Sequence, residues 1–144
     1  MVLDAIKSGA GMIETLINPY FIKNKYWKVL KEELMLLLNI CADHRVKLRP
    51  CFDYVNYNDP EILQLRELLE ELEFTEVVSG SGFLTDDTAE HAIFIESLTR
   101  LSKLKITAQG RIYSPQHVQF FEAAGAIGVK LKNCNILENI LGKK

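Results

Sequence analysis

Five short β-rich runs, each followed by an amphipathic helix, occupy nearly the whole of this 144-residue chain. Strands that alternate with helices pair in parallel through right-handed crossovers, so the order restricts the chain to an α/β fold built on one parallel sheet. The strand candidates are residues 12–18 (MIETLIN), 45–53 (RVKLRPCFD), 75–79 (TEVVS), 103–107 and 127–131. A helical lead-in covers 3–9. The helix predicted at 24–42 carries Trp27, Leu30, Leu34, Leu37 and Leu38 at helical spacing. Asp59 is read as the cap of the next helix, with Pro60 in its first turn and the stripe Leu65, Leu68, Leu69 and Leu72. Acidic Asp86 and Asp87 suit the start of a helix at 88–101. Ser114 and Pro115 open another that ends near Gly125, and a short helix at 133–141 closes the chain.

Two architectures satisfy this order, an open doubly wound sheet and a segment of a (β/α)8 barrel. Strands covered on both faces read as continuous apolar runs, and these do not. Val46, Leu48 and Phe52 alternate with Lys47, Arg49 and Asp53. Leu104 and Ile106 alternate with Lys105 and Thr107, and Ile127, Val129 and Leu131 with Lys130 and Lys132. One apolar face and one polar face suit a barrel wall, so the expected fold is a single domain over 1–144, a partial TIM-barrel-like segment of about five strands. The open sheet remains the alternative. A complete barrel needs about 250 residues, and five units do not close with its tilt and register. Two bare sheet edges invite another chain. Self-association into a homo-oligomer leads, with a complementary chain supplying the missing strands as the other outcome.

Composition excludes several classes. A formal charge of −2 and a pI near 5.9 argue against a general nucleic-acid binder. The longest apolar run, residues 34–41, is too short to span a bilayer, and no basic segment followed by an apolar one suggests a signal peptide. Cys41, Cys51 and Cys134 have no CxxC spacing and read as reduced cysteines of a cytoplasmic protein. His44, His91 and His117 have no ligand spacing, so no metal is expected, and surface positions are expected for His91 and His117.

Several segments, in order, resemble the deoxyribose-phosphate aldolase family: INPYFIKN from Ile17, VKLRPCFDYVNYND from Val46, VVSGSGF from Val77, and TAQGRIYSPQHVQFFEAAGAIGVK from Thr107. They are similar to the last five of that family's eight βα units. The resemblance implies a class I aldolase, a carbon–carbon lyase that works through a lysine Schiff base and takes no cofactor. It places Glu14 at an acidic position that assists proton transfer, Arg49 at a lysine that tunes the site, and Asp53 at an acidic strand end. It also places Val78 where the Schiff-base lysine belongs, and Thr107 where the second lysine lowers the pKa of the first. An imine needs an amine nucleophile, and neither residue supplies one. Gly110 matches one glycine of the phosphate-binding pair, Arg111 replaces the other, and Lys130 replaces a glycine of the last strand's phosphate loop.

The functional expectation is therefore a degenerate, non-catalytic aldolase-like protein that binds a phosphate ligand or serves in assembly. The ligand residues it implies are Ser79, Gly80, Ser81, Gly82, Gly110, Arg111 and Lys130, and a sugar phosphate is the expected ligand. Gly80-Ser81-Gly82 equally reads as a βα turn that needs glycine geometry. The alternative is an active lyase using a relocated lysine, Lys105 or Lys130, or a partner chain.

Overall fold

A computed structural model describes residues 1–84, 87–132 and 134–142, the side chain of Cys134 excepted. The expected readings of Asp86 and of the Cys134 thiol lie outside the described residues. In chain order the elements are α1 (Val2–Lys7), β1 (Met12–Leu16), α2 (Pro19–Lys23), α3 (Trp27–Asp43), β2 (Lys47–Cys51) and a 3-10 turn (Tyr54–Asn56). There follow α4 (Asp59–Glu71), β3 (Glu76–Val78), α5 (Thr88–Leu101), β4 (Lys105–Gln109), α6 (Pro115–Ala123), β5 (Gly128–Lys130) and α7 (Cys134–Ile140). The strands form one sheet in the order β1-β2-β3-β4-β5, all parallel. Strands lying beside each other in chain order are the mark of a barrel wall, since a doubly wound sheet reverses order at a switch point.

Curvature supports the same conclusion. Lys130 of β5 reaches the Glu14 carboxylate of β1, four strands away. In a flat sheet those strands would stand about 19 Å apart at the usual strand spacing. Extended Lys and Glu side chains in contact span at most roughly 14 Å of Cα separation, from ordinary bond lengths. The sheet therefore curls into a trough, with Glu14 and Lys130 meeting across its lumen.

The helical layer packs on the convex face. Leu30, Leu34 and Cys41 of α3, Leu65, Leu68 and Leu69 of α4, Ile95 and Leu98 of α5, and Phe121 of α6 bury against Leu48, Val77, Ile106 and Ala108. Leu37 and Leu38 are partly buried against this core. Four local expectations need correction. Asn58, not Asp59, caps α4: its side chain accepts from the Glu61 amide at 2.9 Å while Glu61 Oε2 accepts from the Asn58 amide at 2.9 Å, a reciprocal capping box. The 24–42 helix begins at Trp27 because Lys25, at φ +59°, separates it from α2, itself unexpected and capped by Asn18. β4 is paired two residues later than the apolar run suggested. Ile127 lies just before β5 and is 54% exposed, while Val129 and Leu131 pack half-buried against the core, so the outer face expected of β5 is covered only in part.

Candidate functional site

Strand alternation puts Glu14 on the lumen face of β1, Lys47, Arg49 and Cys51 on β2, Glu76 and Val78 on β3, Lys105, Thr107 and Gln109 on β4, and Gly128 and Lys130 on β5. Register sets them in rows: Leu16 faces Cys51, Cys51 faces Val78, Val78 faces Thr107, and Thr107 faces Gly128.

One charge network crosses this face. Arg49 donates from Nε to Glu14 Oε1 at 3.1 Å, makes a second contact to the same oxygen through Nη2, and donates from Nη1 to Thr107 Oγ1 at 3.3 Å. Nη1 also lies 3.8 Å from Glu76 Oε2, and Lys47 Nζ donates to Glu76 Oε1 at 2.7 Å. Lys130 Nζ holds the other oxygen of Glu14. Burial pushes the Glu14 carboxyl up, but hydrogen bonds and charge from Lys130 and Arg49 outweigh it and hold the group below its usual range. The Lys47 hydrogen bond lowers Glu76 against a smaller opposing effect of burial, with further help from the charges of Lys47, Arg49 and Lys105.

At the two lysine positions of the resemblance, Val78 is fully buried and Thr107 is 6% exposed. Cys51, beside Val78 in register, donates its thiol to the Gly80 carbonyl at 3.1 Å. Burial, with the charges of Asp53 and Glu14, pushes that thiol up to about 11, so it stays protonated and inert at neutral pH. Among these groups Arg49 alone brings charge to Thr107, and a guanidinium does not form imines at neutral pH.

The loop after β3 is held by side chains of its own chain. The buried Asp53 carboxylate accepts from the Ser81 amide at 2.7 Å and from Ser81 Oγ at 2.9 Å, and Ser81 Oγ in turn accepts from the Phe83 amide at 3.2 Å. A Cβ on Gly80 would stand 2.5 Å from the Gln109 carbonyl, so only glycine lets the ends of β3 and β4 approach this closely. Gly82 has φ +83°. Asp87 caps α5, accepting from the Ala89 amide at 2.8 Å. Ser79 is 1% exposed and its hydroxyl lies 2.6 Å from His91 Nε2.

His91 corrects the expectation of a surface histidine. It is 3% exposed, its ring sits 5.0 Å from Tyr54 and 4.9 Å from Phe121, and a Cβ on Gly110 would fall 2.9 Å from its Nδ1. Its place at i, with Ile95 at i+4 and Leu98 at i+7, was the available signal, because those residues form the buried stripe of α5.

The remaining candidates are scattered. Gly110 is buried, whereas Arg111 is exposed with its carbonyl accepting from Thr88 Oγ1 at 3.2 Å. Lys105 opens β4 in register with Glu76, on the side of the trough away from the strand C-terminal ends, and Lys130 lies in register with Gln109 at those ends. Grooves of about 290 and 330 Å³ run between α4 and α5 on the outer layer, lined in part by Ile62, Phe94 and Ser97. They do not touch the charge network, and the polar groups able to orient a ligand converge in the lumen instead. Among the described residues no group of three or more His, Cys, Asp or Glu could hold a metal ion, and no helix is long and apolar enough to cross a membrane.

Comparison with known proteins agrees with the resemblance read from the motifs. No family model matches the chain. It is 25% identical over 123 residues to the deoxyribose-phosphate aldolase of Lactobacillus acidophilus, covering 85% of this chain and 52% of that protein. With the protein of that name from Streptococcus pyogenes the identity is 26% over 123 residues, covering 85% and 54%. The chain thus spans about half the length of the curated relatives it matches. In fold it is similar to the deoxyribose phosphate aldolase of Aeropyrum pernix, described as having a unique tetrameric structure, with a TM-score of 0.79 at 14% identity over 95% of this chain and 58% of that one. It is also similar to an aldolase designated QR15, with a TM-score of 0.74 at 20% identity over 89% and 58%.

Proposed function

We propose, for a chain related to the deoxyribose-phosphate aldolases over about half their length, a non-catalytic role: it binds a sugar phosphate at the strand C-terminal ends and serves as an assembly module. One observation carries the reading. Val78 and Thr107 stand at both positions where the resemblance calls for lysine, buried side by side in register. Covalent aldol catalysis needs a neutral amine beside the carbonyl, and its pKa is lowered by a second cation. Here the nearest cation, Arg49, lies against threonine, so the pairing has no nucleophile to act on.

Cations outnumber carboxylates on the lumen face, which favours an anionic ligand. Lys130, at the ends of the strands, is the side chain best placed to meet it. Ser79, Gly80, Ser81, Gly82, Gly110 and Arg111 complete the proposed rim. Because Asp53 and Asp87 already occupy the Ser81 and Ala89 amides, a phosphate there works through side-chain charge more than through backbone donors. The assembly role follows from the uncovered edges, filled either by further copies or by a complementary chain.

The test is borohydride trapping with acetaldehyde and with deoxyribose 5-phosphate, read by intact mass. No lysine is expected to be trapped faster than the exposed lysines that any aldehyde alkylates, and one lysine trapped selectively and stoichiometrically overturns the reading. Thermal shift with deoxyribose 5-phosphate should raise the melting temperature with ligand concentration, and Lys130→Met should remove the shift.

A second reading, a lyase with a relocated amine, draws on one contact. Lys130 touches Glu14, the carboxylate at the family's proton-transfer position. That same contact holds Lys130 Nζ against a carboxylate and so away from an incoming carbonyl. Lys105 lies on the side of the trough away from the loops. Aldol turnover that survives Lys105→Met combined with Lys130→Met would eliminate this version.

A further inference from the structure

Lys130 is the last residue of β5, at the strand ends where the proposed ligand enters, and its side chain is 33% exposed. Its ammonium nevertheless crosses the trough to Glu14 Oε2 on β1. Glu14 is the fixed half of that contact. Arg49 holds Oε1 through both Nε, at 3.1 Å, and Nη2. Arg49 is itself held by Thr107 Oγ1 at 3.3 Å and by Glu76 Oε2 at 3.8 Å, with its side chain 14% exposed. Lys130 is the movable half. Its strand is an edge on which all three residues are half-buried, and among the described residues its ammonium has no second ion-pair partner.

We infer that Glu14 is a built-in competitor for the anion site, a carboxylate of the chain itself that occupies the Lys130 ammonium until a phosphate takes it. The inference rests on the sugar-phosphate half of the function proposed above and adds what limits that binding. Carboxylate and phosphate oxygens accept the same charge-assisted bond from an ammonium, so the two compete for one donor group. Bridging both at once is opposed as well, since it sets a phosphate beside a carboxylate of like charge. Opening the contact strands no charge. Glu14 keeps both Arg49 bonds when Lys130 turns to the rim. A ligand that binds only the open form has its apparent affinity reduced by the open fraction. For a partly exposed ion pair that reduction is about five-fold.

Glu76, the other carboxylate of the network, has no such effect. It opens β3 on the side away from the loops, in register with Lys105, and is held by Lys47 at 2.7 Å and by Arg49. Its loss removes the same charge from the same face without freeing Lys130. Position, and not charge alone, makes Glu14 the residue that sets the affinity. The titratable and charged groups that face it are Lys47, Arg49 and Cys51 on β2, Glu76 on β3, Lys105 on β4 and Lys130 on β5. Of these, Lys130 alone both touches Glu14 and stands at the end of its strand as a free cation donor for a ligand.

The test is calorimetric titration of the full chain with inorganic phosphate and with deoxyribose 5-phosphate. Glu14→Gln should tighten both about five-fold. Glu76→Gln should tighten them less than about two-fold, the screened effect of a more distant charge. Equal gains in the two variants reduce Glu14 to a part of the general field and overturn the inference. An unchanged affinity in Glu14→Gln, when the unaltered chain binds phosphate, also overturns it and leaves the sugar-phosphate reading standing. Binding by neither chain sinks that reading and this inference together. A second measurement needs no variant. Against burial, the Lys130 hydrogen bond is the largest influence holding the Glu14 carboxyl low. Saturating phosphate should therefore move the Glu14 carboxyl titration upward, as followed by carbon NMR. A titration that stays in place in the phosphate-bound chain overturns the inference.

Discussion

The convex and lumen faces of the same five strands obey different rules. On the convex side, alternate residues such as Leu48, Val77, Ile106 and Ala108 vanish under four helices, and any side chain of similar size and polarity would serve. On the lumen side the intervening residues form a charge relay from Lys47 through Glu76, Arg49 and Glu14 to Lys130, in which each partner is specific. The convex packing is continuous across all four helices, whereas in the lumen Val78 and Thr107 stand at the two positions where the resemblance calls for lysine. Packing and lumen chemistry are carried by opposite faces of each strand, so either can change without the other.

The largest expected effect lies on the convex side. Phe121→Ala empties a fully buried ring site beside His91 and should cost about 3–5 kcal/mol in urea unfolding. A loss below 1 kcal/mol would mean that this face is not the one that holds the fold. Asp53→Ala comes next, at the strand ends where the two faces meet. It removes the acceptor of the Ser81 amide and hydroxyl and should cost about 2 kcal/mol. The altered exchange should be confined to the loop after β3.

Within the lumen, effects are smaller and depend on pH. Glu14→Gln keeps the shape and removes the charge between Arg49 and Lys130, a partly exposed site where about 1 kcal/mol is expected. Glu14 and Glu76 both have folded pKa values below their ordinary ones. Their contribution is therefore fully present above pH 4.5 or so. It is lost as pH falls through the lowered folded values, where both states become protonated. Melting temperature measured from pH 6 to pH 2 should fall less steeply in Glu14→Gln than in the unaltered chain. An unchanged slope would show that the relay carries no net stability.

The same division explains how much could be read beforehand. Parallel α/β order, the barrel-like wall and the apolar helix stripes follow from local periodicity, and all reappear in the sheet order and the core. What escaped depends on tertiary proximity. His91 became a buried partner of Ser79 because α5 lies over the end of β3, and twelve residues of separation hide that contact. Asp53 meets Ser81 across twenty-eight. The meeting of Glu14 with Lys130 needs the curvature of the whole sheet, which no single strand encodes. The α4 cap, by contrast, was misplaced by one residue between Asn58 and Asp59, both good capping types, and the Glu61 reciprocity that decides between them was there to be used.

The smallest expected effect is a gain, and it touches neither face. α2, α3 and α4 are each followed, one residue after the cap, by a side chain held at positive φ: Lys25 at 59°, Arg45 at 57° and Glu73 at 60°. Glycine usually fills that position, since a Cβ there costs roughly 1–2 kcal/mol. The greater chain entropy that glycine loses on folding offsets part of the relief. Arg45→Gly, at an exposed turn between α3 and β2, should therefore raise stability by about 0.5 kcal/mol or slightly more. It should also leave both the Phe121→Ala and the Glu14→Gln differences unchanged, since sites without shared partners add. Coupling between Arg45→Gly and either variant would mean that the helix-to-strand turns, and not the two strand faces, set the stability of the sheet.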